Sequence, residues 1–281
     1  TGSASIVVAS IDTGVDRNHE DIASNMWTNP NEIPNNGIDD DTNGYIDDYY
    51  GWDWVNNDND PIDDHGHGTH TAGTVGAVGN NGIGVVGVNW TSKIMALKFL
   101  GSDGLGSLVN GIKALQYAAD NGAKVSSNSW GCKCSSIAMD DAVKYEHDKG
   151  MVIVAAAGNS NADAIGFSPA SADYAITVAA SDPNDMKASF SNWGEKIDVA
   201  APGVDILSTR AAVNPMCTAS KTVGTNYCRV SGTSMATPHI AGLAALLLAK
   251  NPTLTNEEIR QLLRISATDL GPVGKDRDFG Y

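Results

Sequence analysis

Residues 5–12 read "SIVVASID". A short run rich in Val and Ile and apolar on both sides predicts a strand buried on both faces, as strands of parallel sheets are. Asp12 stands at its carboxyl end. Downstream, runs of strand type alternate with runs of helix type. "KIMALKFL" (93–100) is a second strand, and "SLVNGIKALQYAADNG" (107–122) is a helix whose stripe of Leu108, Ile112, Leu115 and Ala119 stops at Gly122. A strand over 124–131, a helix over 136–148 and the apolar strand "MVIVAAAGN" (151–159) follow, then a strand over 174–181. Small residues at helical spacing in "GHGTHTAGTVGAVG" (66–79) predict a closely packed helix. The last third carries a helix from Ser234 to about Lys250, and another over 255–268 opened by a capping box, Thr255 with Glu258. This alternation predicts an α/β fold with a doubly wound, mainly parallel sheet and helices on both faces, in three layers. No linker or internal repeat breaks residues 1–281, so a single domain is expected.

The hydrophobic content of 42% suits a buried core, and 30 glycines imply many tight turns. A net charge of −15 argues against nucleic acid as a partner, because phosphate binding needs a basic surface. The longest apolar run, "IAGLAALLLA" (240–249), is too short to span a bilayer, so no membrane partner is expected. Cys217 and Cys228 flank a Thr-, Ser- and Gly-rich stretch that they could staple. Cys132 and Cys134 could bridge each other, stay free or bind metal. Four cysteines in this pattern lean towards an oxidising, extracellular setting, with the pairing left open.

In open α/β sheets ligands sit beyond the carboxyl ends of the strands. Asp12 and Asn159 follow strands, while His67 and Ser234 open helices, so one crevice can collect all four. A serine becomes a nucleophile when a base takes its proton and a carboxylate orients that base. Asn159 and the Ser234 amide could supply donors for a developing oxyanion. The plainer alternatives are Ser234 as a helix cap, Asp12 and Asn159 as turn residues, and His65, His67 and His70 as a zinc site. Trp130 could belong to the core or to the edge of the crevice.

The chain order Asp–His–Ser separates triad folds that share one geometry. "IDTGVDRNHEDI" (11–22), "HGTHTAG" (67–73), "AAAGN" (155–159) and "GTSMATPHIAG" (232–242) resemble the four hallmark segments of the subtilisin-like serine proteases, the subtilases. "GNNGIGVVGV" (79–88) and "APGVDILST" (201–209) extend the likeness along almost the whole chain. It implies Asp12 as orienting acid, His67 as general base, Ser234 as nucleophile and Asn159 as oxyanion donor, with Gly232 allowing a tight turn before the serine. Substrate strands would pair with Gly104, Leu105 and Gly106 and with Ser129, Trp130 and Gly131. Gly131, Ala156, Ala157, Gly158 and Gly166 would shape the main specificity pocket, whose small residues leave room for a bulky apolar side chain before the scissile bond. The resemblance further implies a secreted monomer with polypeptide substrates, proteinaceous inhibitors and its own pro-segment as partners. The first strand begins early and the chain stops at "DFGY", which implies a catalytic domain trimmed at both ends.

Ten Asp between Asp39 and Asp64, with no Lys or Arg among them, gather cations or repel one another. "DDDTNGYIDD" (39–48) holds D-x-D-x-N-G, the first half of an EF-hand-like loop, but position twelve is Tyr50 in place of the bidentate glutamate. A local Ca²⁺ loop is expected on Asp39, Asp41, Asn43, the Tyr45 carbonyl and Asp47. By family resemblance a second ion would take Asp53, Asp58, Asp60 and the Ile62 carbonyl, as in thermitase-like subtilases. A third would take Asp21, Asn81 and the Ile83 and Val85 carbonyls. Two other function classes compete with a calcium-stabilised endopeptidase: a calcium-binding adhesion module with an inert Ser234, and a catalytically dead subtilase scaffold. A serine-directed covalent probe separates them.

Overall fold

The computed structural model describes all 281 residues. Seven strands form one parallel sheet: β1 (Val7–Asp12), β2 (Gly51–Asp53), β3 (Lys93–Lys98), β4 (Val125–Asn128), β5 (Val152–Ala156), β6 (Ala175–Ser181) and β7 (Ile197–Pro202). They lie in the order β2–β3–β1–β4–β5–β6–β7, so the order reverses about β1. A three-stranded antiparallel sheet stands apart, with β10 (Tyr227–Val230) between β8 (Ile206–Thr209) and β9 (Thr222–Val223). The helices are α1 (His67–Gly76), α2 (Leu108–Asp120), α3 (Ile137–Asp148), α4 (Thr233–Lys250) and α5 (Asn256–Ile265). None is long and apolar enough to cross a membrane.

Two apolar layers sandwich the sheet. On one face α1, α4 and α5 pack Val75, Ile240, Ala244, Leu248 and Leu263 against Val8, Ile94, Val154 and Val178. On the other, α2 and α3 pack Leu115, Ala118, Met139 and Val143 against Ile11, Met95, Leu97 and Ile153. The fold is therefore the three-layer α/β arrangement expected, with the strands it foresaw slightly shorter than drawn and the last helix ending at Ile265.

Strands β2, β7 and β8 to β10 were not foreseen, and each has a local reason. β2 is only three residues long. β7, "IDVAAP", breaks an apolar run with Asp198 and ends in Pro. The small sheet is polar and is tied by the Cys217–Cys228 disulfide, while Cys132 pairs with Cys134.

Asp198 earns its place inside β7 through its partners. It is 1% exposed, accepts from the Thr177 amide at 2.9 Å, and is held by Arg260 Nε at 3.1 Å and Arg264 Nε at 2.9 Å. Those two arginines stand one turn apart on α5 and clamp that helix to the sheet. Removing one partner of a buried pair leaves charge uncompensated. Asp198→Ala should therefore lower unfolding free energy by about 3 kcal/mol or more, read from urea denaturation, since leaving two guanidinium groups facing an apolar hole is costlier than losing the contact itself.

Candidate active site

Asp12 ends β1, the strand about which the sheet order reverses. It is 1% exposed. Its Oδ1 accepts from the Thr13 amide at 2.7 Å and lies 2.7 Å from His67 Nδ1, while Thr71 Oγ1 donates to Oδ2 at 3.3 Å. His67 reaches it because α1 starts almost against the end of β1. Gly68 makes that approach possible: a Cβ there would lie 2.1 Å from the Gly14 carbonyl oxygen and 3.1 Å from Asp12 Cβ. A buried carboxylate, Asp63, steadies the same helix start by accepting from the amides of His65, Gly66 and Thr69 and from the Thr13 and Thr69 hydroxyls.

Burial opposes charge on His67, but the charge and hydrogen bond of Asp12, with Asp63 adding to them, outweigh it and hold the imidazole above its ordinary value. With Nδ1 committed to Asp12, Nε2 is the nitrogen left to take a proton.

Ser234 is the second residue of α4 and is half-buried. Its hydroxyl donates to the Ser129 carbonyl at 2.8 Å, and Ser129 Oγ donates to the Ser234 carbonyl at 2.9 Å. The second bond follows from sequence, since Pro238 has no N–H for the carbonyl four residues earlier and Ser129 satisfies it instead. The serine hydroxyl thus points at Ser129 rather than at His67 in this structure. Catalytic hydrogen bonds are often formed only with substrate present.

Asn159 lies just beyond β5. Its Oδ1 accepts from the Thr233 amide at 2.8 Å and the Thr233 hydroxyl at 3.0 Å, which assigns Nδ2 to the open side. A Cβ on Gly232 would lie 3.5 Å from that Nδ2, so the glycine keeps the space in front of the amide clear. The expected tight turn at Gly232 is absent, because φ 162° and ψ 160° describe extended backbone.

Two depressions meet at Trp130 and Gly131. One, of about 410 Å³, is lined by His67, Gly104, Leu105, Gly106, Ser129, Phe99 and Leu108 among others. The other, of about 250 Å³, is lined by Ala156, Ala157, Gly158, Asn159, Ser234 and Phe167. Gly166 is not in either wall; it sits in a 3-10 turn, and Phe167 takes the place expected of it. Trp130 stacks edge-on against Phe99 at 4.7 Å between ring centres, so it edges the cleft while packing on the core.

His70 does not join a zinc site. It is fully buried, its Nε2 faces the Ile206 and Cys228 carbonyls at 3.1 and 3.2 Å, and burial lowers it to about 4. Lys98 was also missed as a site element. Its buried Nζ donates to the Thr13 and Leu100 carbonyls at 2.8 and 2.9 Å and to Asp64 at 2.6 Å, tying the carboxyl ends of β1 and β3. A lysine closing an otherwise apolar strand was the available signal.

In the acidic block, Glu32 lies with Asp39 and Asp41, their ligand atoms all within 4.8 Å of one another. Glu32 is 5% exposed and its Oε2 has no hydrogen-bond partner. Burial, then the charges of Asp48 and Asp41, raise its carboxyl above the ordinary value against two amide hydrogen bonds. Asp47 faces elsewhere, taking the Asn36 and Gly37 amides at 2.9 Å each, and Asn43 donates to Asp48 at 2.8 Å. Asp53 caps its own turn through the Val55 and Asn56 amides, Asp58 accepts from the Asp60 amide, and Asp60 pairs with Arg17 at 2.5 Å. The Ile62 carbonyl packs against Gly14. Asp21 accepts from Asn81 Nδ2 at 2.7 Å and from the Val85 amide at 2.9 Å, while Asn81 Oδ1 takes the Ile83 amide.

Residues 3–281 match the model of the subtilase family. The chain is 40% identical over 279 residues to a thermophilic serine proteinase of Bacillus sp. (strain AK1), covering 99% of itself and 60% of that protein's length. It is 38% identical over 267 residues to thermitase of Thermoactinomyces vulgaris, covering 95% of itself and 82% of thermitase. Among solved structures it is similar to a cold adapted subtilisin-like serine proteinase, with a TM-score of 0.77 and 34% identity over 94% of this chain and 83% of the other.

The imidazole of His67, followed by NMR through a pH titration, should titrate above 6.5. Asp12→Asn removes the larger of the two charges that oppose burial and leaves Asp63 alone to do so, so the titration midpoint should fall. A midpoint unmoved by the substitution would show that Asp12 does not govern the ring.

Proposed function

The chain belongs to the subtilase family of serine endopeptidases, and we propose that it hydrolyses peptide bonds through an acyl-enzyme on Ser234. The observation that carries this reading is the 2.7 Å contact of buried Asp12 with His67 Nδ1 beside a cleft that also holds Ser234 and Asn159. Rotation of the serine side chain from the Ser129 carbonyl towards His67 Nε2 would deliver its proton as Oγ attacks the scissile carbonyl. The oxyanion would face Asn159 Nδ2 and the Ser234 amide at the positive end of α4. His67 would then protonate the leaving amine, and a water would repeat the sequence in reverse. A substrate strand is read between Gly104–Gly106 and Ser129–Gly131. A bulky apolar side chain before the scissile bond suits the pocket walled by Gly131, Ala156, Ala157 and Phe167. Secretion, a monomeric state, a pro-segment and recognition by proteinaceous inhibitors are carried by the family alone.

Calcium enters the same proposal as a structural ion. Glu32, Asp39 and Asp41 fit a hard cation: three carboxylates converge, and one buried oxygen lacks any protein donor. An ion there would supply the missing positive charge and fasten the 32–48 loop. The sets around Asp53 and Asp21 rest on family resemblance, because their carboxylates are served by protein donors.

A fluorophosphonate should label Ser234 stoichiometrically in folded, calcium-loaded protein, as located by peptide mapping, and Ser234→Ala should abolish both labelling and peptide hydrolysis. Labelling elsewhere, or turnover surviving the substitution, would reject the triad. Asn159→Ala should lower kcat about 10²–10³-fold with little change in KM. Chelation by EDTA should lower the melting temperature, because an ion held only by the native state stabilises it by mass action. In Glu32→Gln that calcium-dependent shift should shrink, and an undiminished shift would move the ion away from this cluster.

A further inference from the structure

One buried polar chain is left unused by the mechanism above. Glu146, on α3, is 0% exposed. Ser126 Oγ donates to its Oε2 at 2.8 Å, and its Oε1 is buried without a partner. Ser126 in turn accepts from Asn128 Nδ2 at 3.0 Å, as side chains two apart on one strand share a face. The register sets Ser126 between Ala9 and Ile153, both apolar, and places Asn128 beside Ala155. Three polar side chains therefore occupy a layer that could be filled by hydrocarbon, and the unpartnered Glu146 Oε1 and Asn128 Oδ1 leave part of their burial cost unmet.

They end one residue short of the cleft. The residue after Asn128 is Ser129, which exchanges two hydrogen bonds with Ser234 and opens the segment read as a substrate edge. We propose that Glu146 is a positioning residue: as a neutral carboxyl it holds, through Ser126 and Asn128, the end of β4 that carries Ser129 against Ser234, and its ionisation loosens that end. This inference rests on the hydrolytic reading of Ser234.

The electrostatics agree with a neutral carboxyl. Burial pushes Glu146 up to about 8, against a small opposing effect of the Ser126 hydrogen bond. No cation stands near to offset its charge. The charged residues Asp140, Asp141, Lys144 and Asp148 of α3 and Lys149 just after it are exposed, as are Lys113 and Asp120 on α2. His147 faces Asp148 and Glu257 of α5, and Tyr117 of α2 is engaged with Asp48. β5, packed against α3, brings only Val, Ile and Ala.

The sign follows from linkage. The native state keeps a proton on Glu146 that the unfolded chain gives up near 4.5, so native stability falls as pH rises from there to about 8 and then levels. Glu146→Gln keeps the acceptor for Ser126 and removes the titration. The difference in melting temperature between Glu146→Gln and the parent should widen across that window and stay constant above it. In the parent, kcat/KM for an extended peptide should decline above about pH 8, up to about tenfold per pH unit. Glu146→Gln should be flat there. Ser126→Ala, which cuts the link while keeping the carboxyl, should raise KM for extended peptides already at neutral pH and leave fluorophosphonate labelling of Ser234 in place. An alkaline decline shared by Glu146→Gln, or an unchanged KM in Ser126→Ala, would overturn the proposal. Absence of fluorophosphonate labelling in the parent would instead condemn the hydrolytic reading, which keeps the two failures apart.

Discussion

Keeping one negative charge dry at the end of β1 is the constraint on which the cleft depends. Asp12 is tolerable there because the Thr13 amide, the Thr71 hydroxyl and His67 all donate to it. Two of those donors come from α1, so the helix must begin within touching distance of the strand, and only a residue without Cβ fits at Gly68. The parallel register of β3, β1 and β4 then places Lys98, Asp12 and the approach to Ser129 along one edge. Lys98 closes the arrangement from the far side, holding the Thr13 carbonyl with its buried ammonium.

Much of this was legible from residues alone. Strands flanking Asp12 and Asn159 are short apolar runs, α2 shows its stripe, and the Thr255–Glu258 box appears as written, with both reciprocal hydrogen bonds present. The cluster of Asp12 with His67 and the neighbourhood of Asn159 and Ser234 follow from the rule that strand ends gather ligands. What stayed hidden depends on contacts distant in sequence. Glu32 precedes the D-x-D-x-N-G loop and belongs to no motif, yet it supplies the unsatisfied carboxylate, while Asp47 at a ligand spacing turns to cap residues 36 and 37. Asp198 looked like an interruption because its arginines lie on a helix about sixty residues later. Glu146 has the ordinary look of a polar helix residue, and only the packing of α3 against β4 shows that it points inward.

The buried acids of the sheet illustrate two ways of treating the same chemistry. Asp12 is met by a backbone amide, a threonine hydroxyl and His67, and Asp198 by an amide and two arginines. Glu146 has one hydroxyl and hydrocarbon around it, so the fold accommodates the neutral acid. On one scaffold the first two are held by several donors each, whereas the third is governed by burial and one hydroxyl.

Helix α4 has a consequence for how the molecule comes into being. It carries the nucleophile candidate at one end and, with Ile240, Ala244, Ala245 and Leu248, covers the face of the sheet built from β1, β5, β6 and β7. A ribosome releases the chain from its amino end, so those strands emerge while the helix that seals them is still being translated. Until residue 250 is out, that face has only α1 to cover it, and parallel pairings between segments far apart in sequence close slowly. The proposed nucleophile and most of the covering of the core arrive on one element, so the residue that would cut is in place only once the sheet is largely shielded.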